Sequence, residues 1–159
     1  MYAKELAANR TMYESIRAAH RAGIPIYAEC GGLMYLTQEI VDLENVAHPM
    51  VGLLPGRSAM TGRLTLGYRT ARAAGDSWLW HSGETVRGHE FHYSTWENRP
   101  ADIAPAYELL PGTFQREARG DGAQIGNLFA SYVHLHFLAR PELVSRMISA
   151  NQNIHTAKD

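Results

Sequence analysis

The chain has 159 residues, 45% of them hydrophobic, with 15 Lys and Arg against 16 Asp and Glu. That length suits one domain with a sizeable core, and a net charge of −1 without a basic run or basic-aromatic stripe argues against a nucleic-acid groove. The single cysteine cannot close an internal disulfide, no apolar run approaches the roughly 20 residues that span a bilayer, and the N-terminus lacks a signal-peptide core, so the expected setting is cytoplasmic, without membrane contact.

In chain order, Lys4 to Ala22 predicts one amphipathic helix, with Leu6, Tyr13, Ile16 and His20 near a common face and Gly23 and Pro25 ending it. Ile26 to Glu29 predicts a short buried strand, and Leu33 to Gln38 the first stretch of the next helix. Between them lies Cys30, flanked at two residues by Ala28 and Gly32. This small-x-Cys-x-small spacing is that of a nucleophile elbow, where the backbone reverses too sharply for bulky neighbours. A helix starting there favours the thiolate, and the Gly31 N–H is a candidate donor to an oxyanion. A lone cysteine is also commonly a small buried hydrophobe, and the spacing alone is compatible with both roles.

From Leu53 onward the pattern becomes β-like: Leu64, Leu66, Tyr68 and Thr70 alternate with Arg63, Thr65, Gly67 and Arg69. Further strands are expected at Thr85 to Glu90, Tyr107 to Leu110 and Gln124 to Phe129, separated by Asn98-Arg99-Pro100, Pro111-Gly112 and Gly120-Asp121-Gly122. Within the first of these regions, His89, Glu90 and His92 are metal-ligating types. The surrounding Val86, Phe91 and Tyr93 favour a strand that points the two histidines to opposite faces, so no metal site is expected. A last helix starts at Pro141 and carries Leu143, Val144, Met147 and Ile148, with Asn151 to Asp159 as a frayed tail. No repeat or long linker divides residues 1–159, which read as one domain.

Tyr27-Ala28-Glu29-Cys30-Gly31-Gly32-Leu33-Met34-Tyr35-Leu36 resembles the nucleophile turn of the cobyrinic acid a,c-diamide synthases, whose C-terminal domain is a class I glutamine amidotransferase of the Cys-His type. Three more segments match in order: Gly52-Leu53-Leu54-Pro55-Gly56-Arg57 with Leu66-Gly67-Tyr68-Arg69, then Arg87-Gly88-His89-Glu90-Phe91-His92-Tyr93-Ser94, then Ala130-Ser131-Tyr132-Val133-His134-Leu135-His136-Phe137. Leu6-Ala7-Ala8-Asn9-Arg10 matches the helix before the nucleophile strand.

The resemblance implies an α/β, layered class I amidotransferase-like fold with glutamine as substrate, Cys30 as nucleophile, His134 as base and Gly31 as oxyanion donor. It implies an acceptor-side loop at His89, Glu90 and His92. It also implies a partner synthase domain that binds ATP and Mg²⁺ and holds cobyrinic acid or a related tetrapyrrole, with no cofactor in this chain. Arg57, Arg63, Arg69 and Arg87 are candidates for holding the acceptor's carboxylates or the synthase domain, against the plainer role of a solvated face. Assembly into a homo-oligomer is left open.

Three departures qualify the expectation. Almost nothing precedes Lys4, where the family has earlier strands and a Gly-rich loop with a second oxyanion donor. This predicts a partial domain with a truncated sheet and exposed apolar surface. No Gly-x-x-x-x-Gly-Lys-Ser/Thr run occurs. The family's class carries His-x-Glu where this chain has His134-Leu135-His136, so His136 becomes the candidate to orient the His134 imidazole, without a negative charge and with a weaker base as the result. Two rival functions follow: an amidase acting on another tetrapyrrole, such as nickel-sirohydrochlorin, and a silent docking module.

Overall fold

A computed structural model describes residues 2–112 and 116–156, the last four of these by backbone alone. The chain opens with α1 (Ala3–Ala8) and α2 (Arg10–Arg21), where the sequence pattern predicts a single helix. Asn9 makes the break. Its backbone leaves helical geometry and its side chain accepts a hydrogen bond from the Met12 N–H, which satisfies an otherwise unpaired donor of α2. Tyr13 anchors α2 in the core and donates its hydroxyl to the Pro49 carbonyl.

β1 (Ile26–Glu29) forms where expected and is followed by α3 (Gly31–Leu36), which is shorter than the predicted run to Gln38. Thr37 ends it by turning to extended geometry while its hydroxyl donates to the Met34 carbonyl, and β2 (Thr37–Val41) starts at once. β3 (Ala47–Pro49) returns antiparallel to β2. Then come β4 (Leu54–Ala73) and β5 (Thr85–Glu97), a long antiparallel pair with an irregularity between Met60 and Thr65. One edge of β4 faces β5; the other pairs with β2 at its start and with β6 (Tyr107–Leu109) at its end. β7 (Arg119–Asp121) pairs with β6.

The predicted strand Gln124 to Phe129 is instead a hairpin, β8 (Ala123–Ile125) and β9 (Leu128–Ser131), turning at Gly126-Asn127 with Gly126 at φ 56°. A two-residue turn with glycine first needs that positive φ to match the strand twist. β10 (His134–Leu135), a 3₁₀ turn (Phe137–Ala139) and α4 (Pro141–Thr156) complete the chain. Helix α4 therefore takes in much of the expected tail, while 157–159 lie outside the described residues.

Among the described residues β1, β9 and β8 form one sheet in that order, with β1 at its edge. β9 is buried on both faces, as a central strand should be. Its alternation separates two cores: Leu128 and Ala130 pack with Tyr13, Leu33, Leu36 and Leu54, while Phe129 packs with Trp80, Tyr107, Val133 and Leu143. No described helix is long and apolar enough to cross a membrane.

Candidate active site

β1 and β9 run parallel with Glu29 opposite Ser131, so the segments that follow them leave the sheet at the same end. One begins with Cys30 and the other leads to His134. The Cys30 N–H donates to the Ser131 carbonyl at 2.8 Å, tying the two exits together. This is the carboxyl end of adjacent parallel strands, where α/β sheets place ligand sites.

Cys30 has φ 48° and ψ −103°, a conformation that L-residues rarely adopt, and it lies at the elbow where the sequence places it. The small neighbours have separate reasons. A Cβ on Gly32 would come within 3.2 Å of the Ala28 Cβ, whereas one on Gly31 would meet nothing within 4 Å. Gly32 is thus needed for the close approach of helix to strand. The Cys30 thiol, half-buried, donates to the Phe91 carbonyl at 3.8 Å. Burial pushes its pKa up, against a smaller opposing effect of the Gly31 N–H, and Glu29 and Asp121 add to the rise. The thiolate expected from the following helix is therefore not the favoured resting form; α3 has only six residues, and desolvation prevails.

His134 is aimed by a braced turn. At the end of β9, the Ser131 hydroxyl donates to buried Asp121 at 2.6 Å and accepts from the Val133 N–H, while the Tyr132 N–H donates to the same Asp121 oxygen. β10 then pairs with β5, His134 opposite His89, and the two rings stack with centroids 5.0 Å apart. His134 borders a cavity of about 600 Å³ with Tyr68, Arg87, His89 and His136. Among the described residues no hydrogen bond joins the Cys30 thiol to the His134 ring.

The carboxylate beside His134 is one that sequence reasoning missed. Glu29 Oε2 lies 3.4 Å from His134 Nδ1, while Glu29 Oε1 accepts from the Leu135 N–H at 2.8 Å and the Tyr27 hydroxyl at 2.6 Å. The expected orienter, His136, keeps extended geometry at φ −105° and ψ 96° before the 3₁₀ turn and borders the same cavity, but among the described residues no hydrogen bond joins its ring to His134, whose Nδ1 faces Glu29. The only sequence signal for Glu29 was an acidic residue ending a short strand next to Cys30.

Gly88 permits the β5–β10 approach, since a Cβ there would come within 2.5 Å of both the His134 carbonyl oxygen and Val133 Cγ1. Gly88→Ala is expected to push β10 outward and loosen the Leu135 N–H from Glu29. Amide exchange at Leu135 should then accelerate roughly tenfold, the equivalent of one hydrogen bond; an unchanged rate would show that β10 is held by other contacts.

His89, Glu90 and His92 lie in the middle of β5, not in a loop. The strand's alternation exposes His89 and buries Glu90 and His92 on the opposite face. Glu90 accepts from Arg69 and Arg119 at 2.5 Å each and lies 3.4 Å from His92 Nε2. Burial alone would raise its pKa, but the hydrogen bonds from His92, Arg119 and Arg69 outweigh it and hold the carboxyl at about 2. The cluster walls a cavity of about 470 Å³ that Arg99 and Tyr132 also border. Of the candidate arginines, Arg69 is thus committed to Glu90 and Arg57 to Glu97, while Arg87 borders the His134 cavity.

Residues 1–142 match the family model of the CobB/CobQ-like glutamine amidotransferase domain. The chain is 43% identical over 155 residues to the cobyrinate a,c-diamide synthase of Salmonella typhimurium, covering 97% of this chain and 34% of that protein. It is 42% identical over 153 residues to that of Listeria innocua, covering 96% and 33%. The chain thus spans about a third of the length of these curated relatives. Among solved structures, PurLQS from Thermotoga maritima superposes with a TM-score of 0.61 at 17% identity, covering 89% of this chain and 67% of that one. A crystal structure of a glutamine amidotransferase gives 0.62 at 17% identity, covering 94% and 72%. The fold is that of the class I glutamine amidotransferases.

Proposed function

The chain belongs to the CobB/CobQ-like glutamine amidotransferase family, and from that premise we propose that Cys30 and His134 hydrolyse glutamine to supply ammonia for the a,c-diamidation of cobyrinic acid. The observation that carries the reading is Cys30 in a strained elbow at the carboxyl end of β1, beside the exit of β9 that leads to His134.

In this reading the Cys30 thiol gives its proton to His134 and attacks the side-chain amide carbon of glutamine. The Gly31 N–H donates to the oxyanion that forms. Collapse breaks the C–N bond, His134 returns the proton to the departing ammonia, and a γ-glutamyl thioester remains. Water, deprotonated by His134, releases glutamate and regenerates the thiol. The thiol's contact with the Phe91 carbonyl has to give way to His134 in this step, a local rearrangement consistent with a site that tightens around substrate.

The ammonia would be used by the synthase domain, where ATP activates an acceptor carboxylate with Mg²⁺. This chain carries no Gly-x-x-x-x-Gly-Lys-Ser/Thr run, and the roles of Cys30, His134 and Gly31 need no ATP. The acceptor is a tetrapyrrole rich in carboxylates, and Arg87 beside the His134 cavity is the arginine placed to meet it. A cytoplasmic location fits this chemistry. The alternative of a silent docking module draws on one observation, the half-buried thiol bonded to a carbonyl.

Glutamate release from glutamine, measured with His134→Ala and His136→Ala, tests the proposal. We expect a loss of about 10²- to 10⁴-fold without His134, the range for a general acid-base group, and near-normal turnover without His136. Near-normal turnover without His134 would contradict the assignment.

A further inference from the structure

The carboxylate that the His134-Leu135-His136 segment lacks is supplied from another strand. Alternation along β1 buries Ala28 and sends Tyr27 and Glu29 to the other side. Tyr27 is fixed there by Phe129, stacked at 6.2 Å, and Phe137, edge-on at 5.7 Å. Its hydroxyl and the Leu135 N–H both donate to Glu29 Oε1. One oxygen of the carboxylate is thereby pinned by two donors, one of them on the residue next to His134. The other oxygen is left facing His134 Nδ1.

We propose that Glu29 is the positioning residue of His134: its Oε2 accepts from Nδ1–H, holds the ring in the tautomer that presents Nε2 as the base, and stabilises the imidazolium when that base is protonated. The inference rests on the reading of His134 as the base. It makes β1 the source of both nucleophile and orienting charge, so a shift of one strand would move both.

The arrangement carries an internal opposition. The same carboxylate raises the Cys30 pKa, because it opposes a second negative charge at the sulfur. Glu29 therefore disfavours the charged thiol while it orients the base, which suits a resting thiol that loses its proton only as it attacks. The other ionisable groups around the ring are His89, stacked upon it, and Tyr68, Arg87 and His136 at the cavity. None of these four is a carboxylate, so among these groups only Glu29 offers Nδ1 a negatively charged acceptor.

Glu29→Gln keeps the shape and an acceptor for Tyr27 and Leu135 while removing the charge. The kinetics of glutamine hydrolysis and the ¹⁵N signals of the His134 ring are measured on this chain and the variant. We expect kcat to fall about 10- to 100-fold with KM within about twofold. We also expect the wild-type ring to carry its neutral-form proton on Nδ1, a preference that the variant loses. Full turnover in the variant, or a wild-type proton resident on Nε2, would overturn the inference. If the wild-type chain releases no glutamate, the functional reading fails by itself. The tautomer of the His134 ring, compared between wild type and variant, still decides the role of Glu29. If the variant does not fold, the wild-type tautomer decides.

Discussion

Cys30→Ser is expected to abolish glutamine hydrolysis, with a loss of at least about 10³-fold, while leaving the fold intact. A serine hydroxyl at this elbow would have only His134 to activate it, and its proton is far harder to remove than that of a thiol. Cys30→Gly sharpens the expectation by separating chemistry from packing. The residue is held at φ 48°, a strain of order 1–3 kcal/mol for a non-glycine residue, and glycine relieves it at an entropic cost of about 0.5–1 kcal/mol. The glycine variant should thus be inactive yet at least as stable to thermal unfolding as the parent. If Cys30 were chiefly a core hydrophobe, the opposite would hold: the glycine variant would melt well below the parent, and serine would cost stability before activity.

The second large effect concerns Glu90. Its side chain is 1% exposed and balances Arg69, itself only 11% exposed, together with Arg119. Removing one member of such a buried pair leaves an uncompensated charge, so Glu90→Ala should cost about 3–5 kcal/mol. For a chain of this size that lowers Tm by roughly 6–20 °C. The pH dependence has a definite sign. The folded carboxyl sits at about 2, below the ordinary carboxylate range, so its contribution is complete above about pH 4.5 and is lost as pH falls toward 2. Melting curves of parent and Glu90→Gln should therefore converge between pH 4.5 and 2. Equal melting temperatures at pH 7 for the parent and Glu90→Ala would show that the cluster is dispensable.

The difference between what the sequence revealed and what it hid follows the range of the interactions. The β1–Cys30 elbow was legible because its determinants, Ala28 and Gly32, lie within two residues of the thiol and act through local sterics. The start of α4 was equally local, at Pro141. The break at Asn9 was hidden because one polar side chain in an amphipathic stretch costs a helix little unless it captures a backbone N–H, as it does at Met12. The β8–β9 hairpin was marked by Gly126-Asn127, yet a nearly continuous run of apolar residues on either side read as one strand. Glu29 and Glu90 could not be assigned from spacing. Glu29 meets His134 through the parallel register of β1 and β9, and Glu90 meets Arg69 and Arg119 from three different strands. Nothing local announces such a pairing.

The central claim is that the Cys30 sulfur is a nucleophile served by His134, and covalent trapping tests it most directly. The folded chain is incubated with a diazoketone analogue of glutamine and analysed by intact mass and peptide mapping. The account predicts one equivalent of label on Cys30, formed much more slowly in His134→Ala and competed by glutamine. A folded chain that takes up no label, or carries it with equal speed without His134, would contradict it.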